Sequence, residues 1–391
     1  MFEPLVLEVP VYLDHNASTP VHPRVLELYL KVSQEVAANP SSLHRPGRRA
    51  QGILEQARER IGHCLQLPAK EILFTGGATE GNNIALFGAV RAMASLHGTP
   101  IRMLASAAEH PAVLGALRLL QQEGHPLRLL PLDRHGRVQS SALGEALAEE
   151  VPTVLALQWA NNETGAIQDF SPWLETTRSD LHLHVDAVQG FGKLPWPAFF
   201  QEAPTFVGSG HKFRGPKGFG FLRVADFAFL QPMIGGGGQQ GGLRPGTESP
   251  AGALATALAL ELAFEEQASF ERQSAATAQA FLKALEQAGV SFESNHPPLG
   301  EGLPNTLNLS FPGIDGRKLL PACDAEDLAL SSGSACASGS AQASPVLLAS
   351  GVSEALARAS LRISFGWQQG PEEGRAAGRT LTKILQRIYQ N

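Results

Sequence analysis

Residues 181–212 have the sequence LHLHVDAVQGFGKLPWPAFFQEAPTFVGSGHK and contain the pattern that decides the fold. Apolar residues alternate with histidine over residues 181–185 and predict a strand that ends at Asp186. A second short apolar run, residues 205–207, leads to another polar turn. Two such runs with a connecting segment between them are typical of a mostly parallel sheet.

Short apolar runs of this kind recur from about residue 70 to residue 225 and alternate with helical segments. The runs are residues 72–74, 102–105, 154–157, 181–185 and 205–207. We therefore predict an α/β fold whose strands are joined by crossover helices. Because ligands bind beyond the carboxyl ends of the strands in such sheets, polar residues that follow these runs are candidates for a site.

The last third of the chain has a different pattern. A long helix is predicted from Ser249 to about residue 288, and a last helix begins at Pro371. Strand-like runs lie between these helices, at residues 306–311, 328–331 and 361–365. We interpret this part as a smaller α/β domain. The predicted division is a large domain of residues 16–250 and a small domain of residues 1–15 and 251–391.

The composition excludes several classes of function. The chain has 391 residues, 43% of them hydrophobic, which is enough for a large core. Its net charge of −6 and its lack of Lys/Arg-rich runs argue against direct nucleic-acid binding. Residues 1–10 lack the features of a signal peptide, and no apolar stretch is long enough to cross a bilayer. We therefore expect a cytoplasmic enzyme with no membrane association.

The three cysteines form neither a disulfide framework nor a zinc pattern, so we expect no metal. Cys64 falls on the apolar face of a predicted helix over residues 48–65, which favours a core position. Cys336 lies in the stretch SSGSACASGS of residues 331–340, where small neighbours should keep its sulfur accessible. The alternative for this stretch is a Ser/Gly linker with an incidental cysteine.

Two predicted strand ends carry groups that could bind a ligand with an aldehyde group and a nitrogen-containing aromatic ring. Asp186 is placed to keep a pyridine nitrogen protonated, which makes the ring an electron sink. Lys212 follows the strand of residues 205–207, and a lysine in a crowded, partly dry site can form a Schiff base with an aldehyde. Lys217 is the rival, but it lies in a Gly-Pro-Lys-Gly turn, so we prefer Lys212.

Three other strand ends carry groups that suit the remaining parts of such a ligand. Residues 76–83 are glycine-rich and open a helix, a setting that favours a phosphate, with Thr79 as a further donor. His110 can stack on a planar ring, and Asn162 can donate to a ligand oxygen. Each group also has an ordinary explanation as a cap, turn, core or surface residue. It is much less plausible that all five groups follow their strands by chance than that any one of them does.

These motifs resemble those of cysteine desulfurases of the NifS/IscS type, in the class-V aminotransferase family of pyridoxal-phosphate (PLP) enzymes. The similar segments follow the family order along nearly the whole chain: residues 12–20, 76–83, 109–114, 161–165, 184–189, 209–218, 235–247, 305–311, 331–336 and 360–366. The resemblance implies PLP fold type I. In that fold the large domain has a mostly parallel sheet of the seven-stranded type, and a smaller α/β domain follows it.

The resemblance also implies a role for each candidate residue. Lys212 would hold the cofactor aldehyde, Asp186 would pair with the ring nitrogen and His110 would stack on the ring. Asn162 and Gln189 would contact the ring oxygen. The phosphate would be held by Ala78, Thr79, Ser209 and His211, and by Thr247 of a neighbouring subunit in a homodimer. Arg362 would bind the substrate carboxylate, and Cys336 would be the nucleophile.

The implied reaction converts L-cysteine into L-alanine and transfers the sulfur as a persulfide on Cys336 to an acceptor protein. An iron–sulfur scaffold or a tRNA-thiolation relay would be such an acceptor. Selenocysteine lyase or cysteine-sulfinate desulfinase activity is an alternative that depends less on Cys336. A non-catalytic sulfur-relay protein on the same fold is a further alternative, and it would need no cofactor.

Overall fold

The computed structural model describes residues 11–176, 178–332 and 343–390. Its helices are α1 (Pro23–Glu35), α2 (Arg45–Leu65), α3 (Ala78–His97), α4 (Pro111–Gln122), α5 (Ser140–Ala148), α6 (Ser171–Leu174), α7 (Pro250–Gln287), α8 (Gly316–Asp324), α9 (Pro345–Ala349), α10 (Glu354–Arg358) and α11 (Pro371–Gln390). Its strands are β1 (Val11–Tyr12), β2 (Ile72–Thr75), β3 (Arg102–Ser106), β4 (Leu127–Leu130), β5 (Thr153–Ala156), β6 (Leu181–Asp186), β7 (Thr205–Ser209), β8 (Gly220–Val224), β9 (Glu293–Ser294), β10 (Thr306–Ser310), β11 (Leu328–Ala329) and β12 (Ser360–Ser364).

The central sheet has seven strands in the order β2-β8-β7-β6-β5-β3-β4. Strands β3 to β7 pair in parallel, and β8 runs antiparallel to both β2 and β7. The predicted α/β fold with a mostly parallel seven-stranded sheet is therefore confirmed. Because β8 is the one reversed strand in this sheet, the carboxyl ends of the other six strands meet at one edge, as the predicted site requires.

Helices cover both faces of this sheet. Successive strand residues point to opposite faces, so Leu104 and Leu155 pack in one core with α2 and the first part of α7. Met103 and Val154 pack in a second core with α3 and α4. The strands are apolar on both sides for this reason, as expected for a parallel sheet buried between helix layers.

The C-terminal part forms a smaller unit around the three-stranded sheet β12-β10-β9 and has its own core. Helix α7 contributes to two cores: residues 251–263 pack with the large sheet, and residues 278–285 pack with β10, β12 and α11. This long helix therefore contributes to the cores of both units. The exact division at residue 250 stays a prediction.

The long helix predicted after Ser249 corresponds closely to α7. None of the helices in the described part of the chain is both long and apolar enough to cross a membrane.

Candidate active site

A cavity of about 470 Å³ opens at the edge of the large sheet where β2, β3, β5, β6 and β7 end. Nine residues predicted to contact the cofactor line it: Ala78, Thr79, His110, Asn162, Asp186, Gln189, Ser209, His211 and Lys212. They come from five different strand ends, so the strand order brings them together. This gathering is the geometry that the sequence predicts.

The end of the cavity next to β2 is suited to an anion. Gly77 has a φ of 138° and precedes α3, whose first turn has no side-chain cap among the described residues. The N–H groups of Ala78 and Thr79 and the positive end of the helix dipole can therefore serve a phosphate. Ser209 lies opposite, with its Oγ 3.7 Å from the position that a Cβ on Gly77 would take.

His211 borders the same end of the cavity. Its Nδ1 lies 3.3 Å from the Oγ of Ser18. Burial, together with the positive charge of Lys212, lowers the pKa of His211 to about 4. The imidazole is therefore neutral near pH 7 and can donate one hydrogen bond to a phosphate oxygen.

Asp186 and His110 lie on the walls of the middle of the cavity. Asp186 is 7% exposed, and its carboxylate accepts hydrogen bonds from Asn82 Nδ2 at 2.9 Å and from the Val188 N–H at 3.2 Å. His110 caps α4, where its Nδ1 accepts the Ala112 N–H at 3.1 Å. Burial lowers the pKa of His110, although Asp186 opposes this shift. The ring is thus a neutral plane with its proton on Nε2.

Lys212 is half-buried at the end of β7, and its Nζ donates to the carbonyl oxygens of Asn16 at 2.6 Å and Ala17 at 2.9 Å. Lys217 also lines the cavity but is exposed. The environment therefore favours Lys212 as the lysine that reacts with an aldehyde. The Asp186 carboxyl group lines the same cavity, which is the pairing that a pyridoxal ring needs.

A buried lysine that was not among the predicted site residues lies behind the cavity. Lys193 is fully buried, and its Nζ donates to Gln189 Oε1 at 2.6 Å and Asn16 Oδ1 at 3.1 Å. Burial, reinforced by the positive charge of Lys212, lowers its pKa well below the usual value. Since Lys193 holds Gln189 Oε1, the Gln189 amide N–H group is directed to the Asn16 carbonyl. Residues 189–193 form turns and not a helix, so no periodic pattern in the sequence indicated this pairing.

Arg362 lies next to the cavity and does not line it. It is 1% exposed, its Nη2 pairs with Asp14 Oδ1 at 2.5 Å, and its Nη1 lies 3.4 Å from the Asn162 carbonyl oxygen. Its Nε is buried with no hydrogen-bond partner among the described residues. One donor of the guanidinium is therefore unused among the described residues, and the role of Arg362 in binding a carboxylate stays a prediction.

Thr247 does not line the cofactor cavity of its own chain. It is exposed and borders an adjoining cavity of about 200 Å³, which shares Gly76 and Gly218 with the first. This position agrees with a residue that serves another subunit, and that role stays a prediction.

Cys336 lies outside the described residues. The described residues on either side of residues 333–342 are held near the site. Ser331 pairs through its backbone with Arg362, and the Ser344 hydroxyl donates to the Glu163 carboxylate.

The two other cysteines lack the properties of a reactive thiol. Cys323 is fully buried, and Cys64 is partly buried against the large core, as predicted. Burial raises the pKa of each thiol to about 12. Among the described residues, no group of three or more His, Cys, Asp or Glu side chains is arranged to hold a metal.

The residues of the cavity fit pyridoxal phosphate: an amine for the aldehyde, a buried carboxylate for the ring nitrogen, a neutral flat imidazole, and an uncapped helix start for the phosphate. This fold and this site define a PLP-dependent enzyme of fold type I. The family model described as Aminotransferase class-V matches residues 11–373, and the chain belongs to that family.

Individual relatives of the chain are named for a particular activity within this family. The chain is 34% identical over 380 residues to "Putative cysteine desulfurase IscS 1" of Bacillus subtilis (strain 168), covering 97% of this chain and 99% of that protein. It is 37% identical to "Cysteine desulfurase" of Frankia sp. (strain EuIK1), with 97% and 92% covered. A solved "NIFS-LIKE PROTEIN" superposes with a TM-score of 0.87 at 31% identity, covering 97% of this chain and all of that one.

Proposed function

We propose that the protein is a PLP-dependent cysteine desulfurase that converts L-cysteine into L-alanine and transfers the sulfur to an acceptor. The observation that carries this proposal is the cavity in which Lys212 and Asp186 lie with an anion-binding helix start. The full-length similarity to proteins named cysteine desulfurase supports cysteine as the substrate.

Bound PLP supplies an electron sink that stabilises negative charge at the substrate α-carbon. Lys212 would hold the cofactor through its aldehyde, and its amine would take the α-proton of the substrate. Asp186 would pair with the ring nitrogen and favour its protonated form, which strengthens the sink. His110 would cover the ring as a neutral plane, and Arg362 would bind the substrate carboxylate.

Cys336 is the residue that we propose to take the sulfur. Its thiolate forms a bond with the substrate sulfur while the Cβ–S bond breaks, and the electron pair of that bond stays on carbon. The carbon takes a proton and becomes the methyl group of alanine, and the α-carbon regains a proton from the Lys212 amine. The products are alanine and a persulfide on Cys336, so this step consumes no external oxidant or reductant.

Two further parts of the proposal concern the setting of the enzyme. We propose a homodimer in which Thr247 of one subunit reaches the phosphate in the other, because Thr247 is exposed beside a cavity adjoining its own cofactor site. We also propose a cytoplasmic enzyme whose acceptor is a protein of iron–sulfur assembly or of tRNA thiolation, since such acceptors take sulfur from a persulfide.

The test is to incubate the PLP-loaded protein with L-cysteine and a thiol reductant and to measure alanine and sulfide. We expect equal amounts of both, loss of both in Cys336→Ala, and little change in the control Cys64→Ala. Lack of both products with the cofactor bound would overturn the proposal. Full sulfide release by Cys336→Ala would favour the selenocysteine lyase or sulfinate desulfinase alternative. A purified protein unable to bind PLP would favour the non-catalytic relay.

A further inference from the structure

A line of buried polar side chains leads from Asp186 away from the cavity and into the sheet. Asn82 Nδ2 lies 2.9 Å from Asp186 Oδ2, and Asn82 Oδ1 lies 2.7 Å from His184 Nε2. Thr205 Oγ1 lies 3.0 Å from His184 Nδ1 and 3.1 Å from His182 Nε2. The four residues behind Asp186 are at most 5% exposed. We call Asn82, His184, Thr205 and His182 the Asp186 relay.

The hydrogen bonds of the relay have one consistent direction. A carboxylate can only accept, so Asn82 turns its NH₂ group to Asp186 and its oxygen to His184. His184 must then donate from Nε2. Because burial lowers the pKa of His184 to about 3, the ring is neutral and its Nδ1 accepts the Thr205 hydroxyl proton. The Thr205 oxygen in turn accepts the Nε2 proton of His182, whose pKa burial lowers to about 4.

The secondary structure fixes the relay in place. Asn82 lies in the second turn of α3, His182 and His184 lie on β6, and Thr205 begins β7. His184 and Thr205 are paired residues in the β6–β7 register. The His182 ring stacks on Phe229 with centroids 5.3 Å apart and an interplanar angle of 11°. The donors of the relay are therefore held in place by regular secondary structure and by this stacking contact.

We propose that the Asp186 relay is a set of positioning residues that holds the Asp186 carboxylate as a hydrogen-bond acceptor, so that the proton shared with the pyridine nitrogen of PLP stays on that nitrogen. Hydrogen bonds donated to a carboxylate favour its charged form, and bonds in a chain polarise one another. The inference rests on the proposed function, because it requires PLP in the cavity.

A second buried carboxyl group, that of Glu109, lies near Asp186. Glu109 is 3% exposed, and burial, followed by the negative charge of Asp186, raises its pKa well above the usual value. If Glu109 were ionised, its negative charge would disfavour a negative charge on Asp186. Because its surroundings favour the protonated form of Glu109, this carboxyl group acts on Asp186 in the same direction as the donors of the relay.

The test compares Thr205→Val, which removes the hydroxyl, with Thr205→Ser, which keeps it. Each protein is loaded with PLP carrying a ¹⁵N label in the ring, and the ¹⁵N chemical shift reports whether that nitrogen is protonated. We expect a protonated nitrogen in the wild type and in Thr205→Ser, and a shift toward the neutral pyridine value in Thr205→Val. We also expect kcat of Thr205→Val to fall about tenfold, the scale of one lost hydrogen bond, with KM for cysteine nearly unchanged.

His182→Phe provides a second variant if Thr205→Val does not fold, because a phenyl ring can keep the stacking on Phe229 while the Nε2 donor is lost. We expect the same direction of ¹⁵N shift with a smaller size. A wild-type ¹⁵N shift in folded, PLP-loaded Thr205→Val or His182→Phe would overturn this inference and leave the proposed function intact. Failure of the wild type to bind PLP would overturn the proposed function itself.

Discussion

At the scale of single residues, the two lysines of the cavity allow a matched comparison. Lys212 is half-buried and bonded to two backbone carbonyls, whereas Lys217 is exposed five positions later. We expect Lys212→Ala to lower kcat by about 10²–10⁴-fold, the usual contribution of a positioned acid–base group, and Lys217→Ala to lower it much less. The measurement is alanine formation at saturating cysteine. Equal losses in the two variants would contradict the assignment of the proton-transfer role to Lys212.

Asn16 illustrates what can be missed at this scale. Its carbonyl accepts from Lys212 and Gln189, and its side-chain oxygen accepts from Lys193. The sequence placed Asn16 in a family-like segment but gave it no role, because asparagine is common in turns and these partners are more than 170 positions away. Contacts of such sequence separation depend on the folded sheet.

At the scale of elements, the contact between α7 and α11 depends on glycine. A Cβ on Gly378 would lie 2.7 Å from the Phe281 carbonyl oxygen and 2.9 Å from the Ala284 Cβ, so the two helices would have to separate. We expect Gly378→Ala to lower the free energy of unfolding by about 1–3 kcal/mol, although alanine favours a helix. Chemical denaturation of the PLP-free protein measures the change.

The control for that prediction is Gly52→Ala in α2, where an added Cβ meets no atom within 4 Å. This change should stabilise the protein by up to about 1 kcal/mol, because alanine is the better helix former. Stabilisation by both substitutions would contradict the close approach of α7 and α11.

The contact between Glu163 and Ser344 at the start of α9 gives a prediction about how the free energy of unfolding depends on pH. Burial raises the pKa of Glu163 to about 7, while the hydrogen bond from Ser344, which caps α9, and the charge of Arg362 oppose that shift. The folded state favours the protonated Glu163 carboxyl. The contribution of this group to the free energy of unfolding is therefore complete below the unfolded pKa near 4.5 and is lost as the pH rises through 7. The loss by pH 8 is about 3 kcal/mol.

The comparison for this prediction is Glu163→Gln, which is neutral at every pH. Thermal unfolding should show that the wild type loses stability relative to Glu163→Gln between pH 5 and pH 8. A difference between the two proteins that stays constant over this range would contradict the assigned titration.

At the scale of the whole molecule, the proposed dimer predicts an effect of Thr247 on cofactor binding. A hydrogen bond to a charged phosphate contributes about 1.5–3 kcal/mol, so Thr247→Val should weaken PLP binding by about 10–100-fold. The effect should disappear under dilution that separates the subunits. Absorbance titration of the PLP-free protein measures the affinity, and unchanged affinity in the dimer would contradict the role of Thr247.

The general fold and most of the cofactor cavity could be predicted because both depend on local patterns. Apolar runs marked the strands, and the parallel arrangement then placed residues such as His110 and Asp186 at one edge. Strand β4 was not among the predicted runs, because Arg128 interrupts its apolar residues at the edge of the sheet.

The remaining features depend on tertiary packing that local patterns do not contain. Helix α7 looks like a single apolar helix in the sequence, and nothing there indicates that it packs in two cores. Asn82 lies in a predicted glycine-rich turn and helix start, yet its partner is Asp186, 104 positions later. The pairing of Arg362 with Asp14 likewise joins opposite ends of the chain.

The central claim is that the strand ends of the large sheet hold the coenzyme with its aldehyde on Lys212. Treatment of the PLP-loaded protein with borohydride makes the bond between the aldehyde and the lysine permanent, and peptide mass mapping then locates it. We predict one labelled site per chain, at Lys212. A label on Lys217, on Lys193 or on no lysine at all would contradict the account.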